Sequence, residues 1–127
     1  MSTVALYVPA LAHTKQGHPE NQERISQILR FLDQSGMLAD VNLLDPAAAS
    51  VEQLRRVHAA ALIERVREVS SMGGGVLDYG DTYATAQSYD LARLAAGATI
   101  TAVDQILTGQ ARNGYALVRP PGHHAEF

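Results

Sequence analysis

The 127 residues are the size of one domain, and 46% hydrophobic with 18% charged residues is an ordinary globular balance. A formal net charge of −3 gives no electrostatic footprint for nucleic acid or an anionic membrane surface, and the lack of cysteine excludes disulfides and thiolate metal sites. No apolar run approaches the ~18 residues of a membrane span, and Met1-Ser2-Thr3 lacks the basic and apolar regions of a signal peptide, so a cytoplasmic location is expected.

Val4 to Val8 is a short apolar run of the kind that fills a strand buried on both faces, and Pro9 ends it. A loop with His13, Lys15, Gly17 and His18 follows. Pro19 is placed to open a helix, with Glu20 and Glu23 in its first turn. Ile25, Ile28, Leu29 and Leu32 repeat at helical spacing, and Gly36 is the expected stop.

Val41 to Leu44 reads as a second strand, ended by Asp45-Pro46. Ser50 and Gln53 have capping-box spacing, with Leu54 and Val57 facing inward from a short helix. Leu62, Val66 and Val69 mark a further helix. Ser70 to Gly75 has three consecutive glycines but no Lys-Ser/Thr ending, so it reads as a turn and not as a phosphate-binding loop.

Thr85 to Leu107 is a long helix whose inner face is Leu91, Leu94, Ala95, Ala98, Ala102 and Ile106. Gly97 within it costs about 1 kcal/mol of helix propensity, which points to close packing there. Gly109 ends the helix, Asn113-Gly114 reads as a turn, and Tyr115 to Val118 as a third strand. The order β-α-β-ααα-β predicts a single α/β domain over residues 1–127: three layers, with a parallel sheet of about three strands flanked by helices. Ligands of such folds sit outside the carboxyl ends of the strands, where the loops of His13 and His18 and of His123 and His124 emerge.

The last loop, Arg119-Pro-Pro-Gly-His-His-Ala-Glu126, is stiffened by two prolines and presents two adjacent imidazoles. Histidine titrates near neutrality, so such a pair suits general base and acid work; taken as a dipeptide it also reads as polar loop. The full octapeptide resembles the signature of the histone deacetylase superfamily, in its class II-like branch of deacetylase-like amidohydrolases and acetylpolyamine amidohydrolases. Gly17-His18-Pro19-Glu20 with Arg24 resembles the first-helix motif of that family. Arg56-Val57-His58 resembles its Val-His element, with Leu62 where an aromatic residue is frequent. Asp81-Thr82-Tyr83, Ser88 and Ala95-Ala96-Gly97 resemble the segment leading to the histidine pair.

The resemblance implies an arginase-like fold, of which this chain would be the N-terminal third, and zinc-dependent hydrolysis of acetyl amides in acetyl-lysine or acetylpolyamine. It implies His124 as the main base and acid, His123 as its electrostatic partner, Asp81 as a rim residue holding the substrate backbone, and Arg24 as the lining of an internal channel. Read as residues alone, Asp81 also fits a helix cap and Arg24 a solvent salt bridge, while His13, His18 and His58 fit structural roles. The zinc ligands of the family, an Asp-X-His pair and a second aspartate, lie downstream of the histidine pair, and these 127 residues contain no Asp-X-His. The chain is therefore expected to be truncated, to bind no zinc at the family site and to be inactive by itself. A zinc site shared between chains by His13, His18, His123 or His124 is a further alternative. A different class of reading is a non-catalytic module that self-associates or binds a partner. Its basis is the same resemblance, which implies that the strand matching Tyr115 to Val118 is interior in the family sheet; here that edge would lie open, so a homo-oligomer is expected through it.

Overall fold

In the computed structural model, which describes residues 2–78, 81–122 and 125, β1 (Ser2–Val8) is the middle strand of a parallel sheet. It lies between β2 (Val41–Leu43) and β5 (Ala111–Val118). This is the sheet that the apolar runs predict. Alternation along β1 puts Val4, Leu6 and Val8 on one face, and all three are buried. Helix α4 (Ser88–Leu107) lies on that face. Its Ala98 and Ala102 join Leu6, Val8 and Ala10 in the core, with Leu44, Leu91, Leu94 and Val118 packed around them.

Small residues let α4 come close. A Cβ added at Gly97 would stand 1.7 Å from the carbonyl oxygen of Ala47, well inside any tolerable contact. Gly97 is thus a close-approach glycine, and the helix propensity it loses is the cost of that approach.

The remaining elements are α1 (Glu23–Gln34), a 3₁₀ turn (Met37–Asp40), α2 (Val51–Arg55), α3 (Ala60–Ser71), and an antiparallel pair of β3 (Gly74–Val76) with β4 (Tyr83–Thr85). Gly36 stops α1 with φ 80°, and Ser50 caps α2 with both bonds of the capping box formed.

Several local expectations give way to tertiary structure. Pro19 does not begin α1, which starts at Glu23, because residues 18–20 are held in a turn by other contacts described below. Asn113-Gly114 is no turn: both residues lie inside β5, paired with Thr3 and Val4 of β1. A Cβ at Gly114 would meet Val4 Cγ2 at 3.2 Å and Ala102 Cβ at 3.3 Å, so glycine serves there to let α4 pack over the sheet. The glycines after Ser70 are only partly turn, since Gly74 and Gly75 pair with Thr85 and Ala84. The long helix starts at Ser88 and not at Thr85, which belongs to β4. Val57 and Ile106, read as inward-facing, are exposed, while Ile63 is the buried apolar residue of α3.

Candidate functional site

β1 and β5 run parallel, so the loops that leave their carboxyl ends emerge side by side. The side chain that joins them is Arg119, the first residue after β5. It is fully buried at 0% exposure, and all its N–H groups find acceptors. Nε and Nη2 donate to the two carboxylate oxygens of Glu20 at 2.8 and 2.9 Å, a bidentate pair. Nη2 also donates to His13 O at 2.8 Å, and Nη1 to Ala10 O at 2.7 Å and Pro9 O at 3.3 Å. One guanidinium therefore fastens the loop after β1 to the root of the loop after β5.

The fastened backbone is bent unusually. Ala10 has φ 53°, a left-handed conformation that costs a non-glycine residue roughly 1–2 kcal/mol. Its carbonyl receives both Arg119 and the His13 N–H, at 3.0 Å for the latter, and these bonds offset the strain. The following Arg119–Pro120 peptide bond is cis.

Electrostatics match this geometry. Burial by itself opposes ionisation of Glu20, but the hydrogen bonds and charge of Arg119, with help from Arg24, hold its carboxyl below the usual carboxylate range. His13 is buried, its Nδ1 lies 2.6 Å from the Ser88 hydroxyl, and its ring is stacked on Tyr83 with centroids 4.4 Å apart. Burial, aided by the positive charge of Arg119, lowers its pKa from 6.5 to about 4. A neutral imidazole locked this way is a packing element.

Arg24 lies over the end of β5, where its Nη2 donates to Val118 O at 2.8 Å and its Nε is 3.5 Å from Glu20 Oε1. Its side chain is partly exposed, so the ion pair and the carbonyl bond coexist with access to solvent. Asp81 stands at the start of the segment leading into β4, with its side chain 68% exposed. Its backbone oxygen accepts from Nε2 of His18 at 3.0 Å. The structure thus brings Asp81, His18, Glu20, Arg24 and Arg119 into one connected group. His123 and His124 lie outside the described residues.

The sequence reading of the octapeptide gave Arg119 no role and read Glu20 and His18 as helix-start residues. A usable signal was present: an arginine directly after a strand of buried type, followed by two prolines that cannot pair, has few exits to solvent. Among the described residues no three His, Asp or Glu side chains converge as metal donors, and His13 and His18 are engaged with Ser88, Glu20 and Asp81. The described residues therefore do not fit a zinc site.

This α/β frame, with loops gathered at the carboxyl ends of its parallel strands, has clear counterparts among known proteins. The profile of the histone deacetylase domain matches residues 18–127. The chain is 44% identical over 108 residues to a histone deacetylase-like amidohydrolase of Pseudomonas aeruginosa, covering 85% of this chain and 28% of that protein. It is 38% identical over 117 residues to a probable deacetylase of Methanothermobacter thermautotrophicus, covering 91% and 33%. Among solved structures, the HDA15 HD domain superposes with a TM-score of 0.91 at 32% identity, over 98% of this chain and 37% of that one. This chain belongs to the histone deacetylase domain family. It spans about a third of the length of these relatives, and its sheet is the corresponding part of a deacetylase fold.

Proposed function

We propose that this chain supplies the acid/base part of a zinc-dependent amidohydrolase that removes acetyl groups from amines, as in acetyl-lysine or acetylpolyamine. The observation that supports it is the deacetylase-domain frame with Arg119 buried at the root of the Pro-Pro-Gly-His-His loop. In this reading His124 moves the proton from the attacking water to the leaving amine, and His123 tunes it electrostatically. Asp81, mostly in solvent at the rim, accepts hydrogen bonds from the substrate backbone. Arg24 lines a channel beneath the site. Zinc, which residues elsewhere in a complete deacetylase domain would hold, would supply Lewis acidity to such a site. In this reading the 127 residues are inactive by themselves, because they contain no Asp-X-His. Purified chain with added zinc and a fluorogenic acetyl-lysine substrate tests this: hydrolysis should not exceed that of the His124→Ala variant. Zinc-stimulated turnover that His124→Ala abolishes would overturn the inactive reading.

A second reading, self-association, is favoured by the sheet itself. β5 is an edge strand among the described residues. On the sheet face away from α4, Tyr7, Leu43 and Tyr115 are exposed, Tyr115 at 65%. An open edge beside exposed apolar side chains is a pairing surface for a second copy of the chain. Light scattering should show a concentration-dependent dimer that Tyr115→Asp weakens. A monomer at every concentration contradicts it.

A further inference from the structure

Asp81 and the loop rooted at Arg119 come from segments far apart in sequence, and the turn His18-Pro19-Glu20 touches both. At one end Glu20 holds Arg119 through the bidentate pair at 2.8 and 2.9 Å. At the other, His18 Nε2 is 3.0 Å from the backbone oxygen of Asp81 and 3.5 Å from its Oδ2. Between them the Glu20 N–H donates to His18 Nδ1 at 3.1 Å. The path Arg119–Glu20–His18–Asp81 is therefore continuous. Tyr83 braces it, edge-on to the His18 ring at 5.0 Å while stacked on His13.

We infer that His18 and Glu20 are positioning residues: their turn is a bracket that fixes the separation between Asp81 and the root of the histidine loop. The inference rests on the reading of Asp81 as the substrate-holding residue, and it adds the means by which that residue is held. Three features favour a bracket over a simple helix start. The helix does not begin until Glu23, so the turn is a separate unit. Pro19 fixes φ between the two contacting residues, which stiffens the connection. The closer His18 contact is to the backbone of Asp81, at 3.0 Å against 3.5 Å to Oδ2, and the carboxylate stays mostly in solvent where a substrate can reach it.

The chemistry of the ring reinforces this. Nε2 faces oxygens of Asp81, so it must carry hydrogen. In the neutral ring Nδ1 then accepts from Glu20 N–H; in the imidazolium it can donate to Glu20 O, 3.0 Å away. The bond to Asp81 is kept in both states.

Isotope-labelled full chain tests the bracket by NMR. Long-range proton–nitrogen correlation should show Nε2 of His18 protonated throughout a pH titration. In His18→Asn, whose shorter side chain cannot reach Asp81, amide exchange should quicken about tenfold at Leu77 and Thr82 while β1 and α4 are unchanged. Those two amides report the loop, because Leu77 N–H donates to Thr82 O at 2.8 Å and Thr82 N–H to Asp78 Oδ1 at 3.2 Å. His18→Gln, which offers a longer amide, should restore much of the protection. An Nε2 that loses its hydrogen, or unchanged exchange at Leu77 and Thr82 in His18→Asn, overturns the bracket. An acetyl-lysine peptide provides the separate functional reading. Its shift of the amide resonance at position 81 should vanish in Asp81→Ala and shrink in His18→Asn. A shift lost in Asp81→Ala but intact in His18→Asn overturns the positioning role. No shift in the unsubstituted chain overturns the role of Asp81 instead, and amide exchange then decides the bracket.

Discussion

His13 gives the chain a built-in sensitivity to acid. The folded protein holds this imidazole neutral down to about pH 4, whereas the unfolded chain takes up a proton near pH 6.5. Protonation is then linked to unfolding: stability is complete above about pH 6.5 and declines as the pH falls toward 4. A pKa displaced from 6.5 to about 4 corresponds to ~3 kcal/mol in total, of which about 2 kcal/mol is lost between pH 7 and pH 5. Glu20 titrates in the same direction at lower pH, because its carboxyl is held below the usual range and its contribution also fades with acid. The two are separated by His13→Asn, which keeps a polar atom near the Nδ1 position facing Ser88 but cannot titrate. Urea unfolding at pH 7 and pH 5 should show the original chain losing about 2 kcal/mol more than His13→Asn. Equal losses in the two proteins, or an NMR titration of His13 in the folded chain centred near 6.5, would refute the reasoning.

Other predictions concern packing at the same frame. Glu20→Gln leaves the Arg119 guanidinium buried without its counter-charge and should cost about 3–5 kcal/mol in urea unfolding. Arg119→Lys should cost less, since an ammonium keeps the charge but cannot span five contacts; a change below about 1 kcal/mol in Glu20→Gln contradicts the role given to the pair. Gly97→Ala should destabilise by about 2 kcal/mol or more despite its better helix propensity, because the added methyl meets Ala47 O; a stabilised variant in thermal unfolding would mean the helix lies further from residues 47–49.

What the sequence disclosed was mostly local. The apolar run of β1, the Ser50 capping box and the stop at Gly36 depend on neighbours in the chain, and all three form. The small-residue face of α4 was legible because its period is visible, down to the tight contact at Gly97. Asn113-Gly114 misled because a strong turn signal was overridden by pairing with β1, a partner more than a hundred residues away. The β3–β4 pair was hidden for the same reason: Gly74-Gly75-Val76 has no strand periodicity and is extended only by its partner. At the site, Arg119 was given no role and Glu20 only a place in a helix's first turn. Their burial depends on three backbone carbonyls converging on one point, which no spacing in the sequence reveals.

The acid/base role proposed for His123 and His124 can be tested within a whole deacetylase domain. Replacing the matching N-terminal segment of the Pseudomonas amidohydrolase with this chain, and measuring acetyl-lysine hydrolysis by the hybrid, tests it most directly. The hybrid should show zinc-dependent hydrolysis that His124→Ala abolishes. A folded, zinc-loaded hybrid without activity, or one whose activity survives His124→Ala, would contradict it.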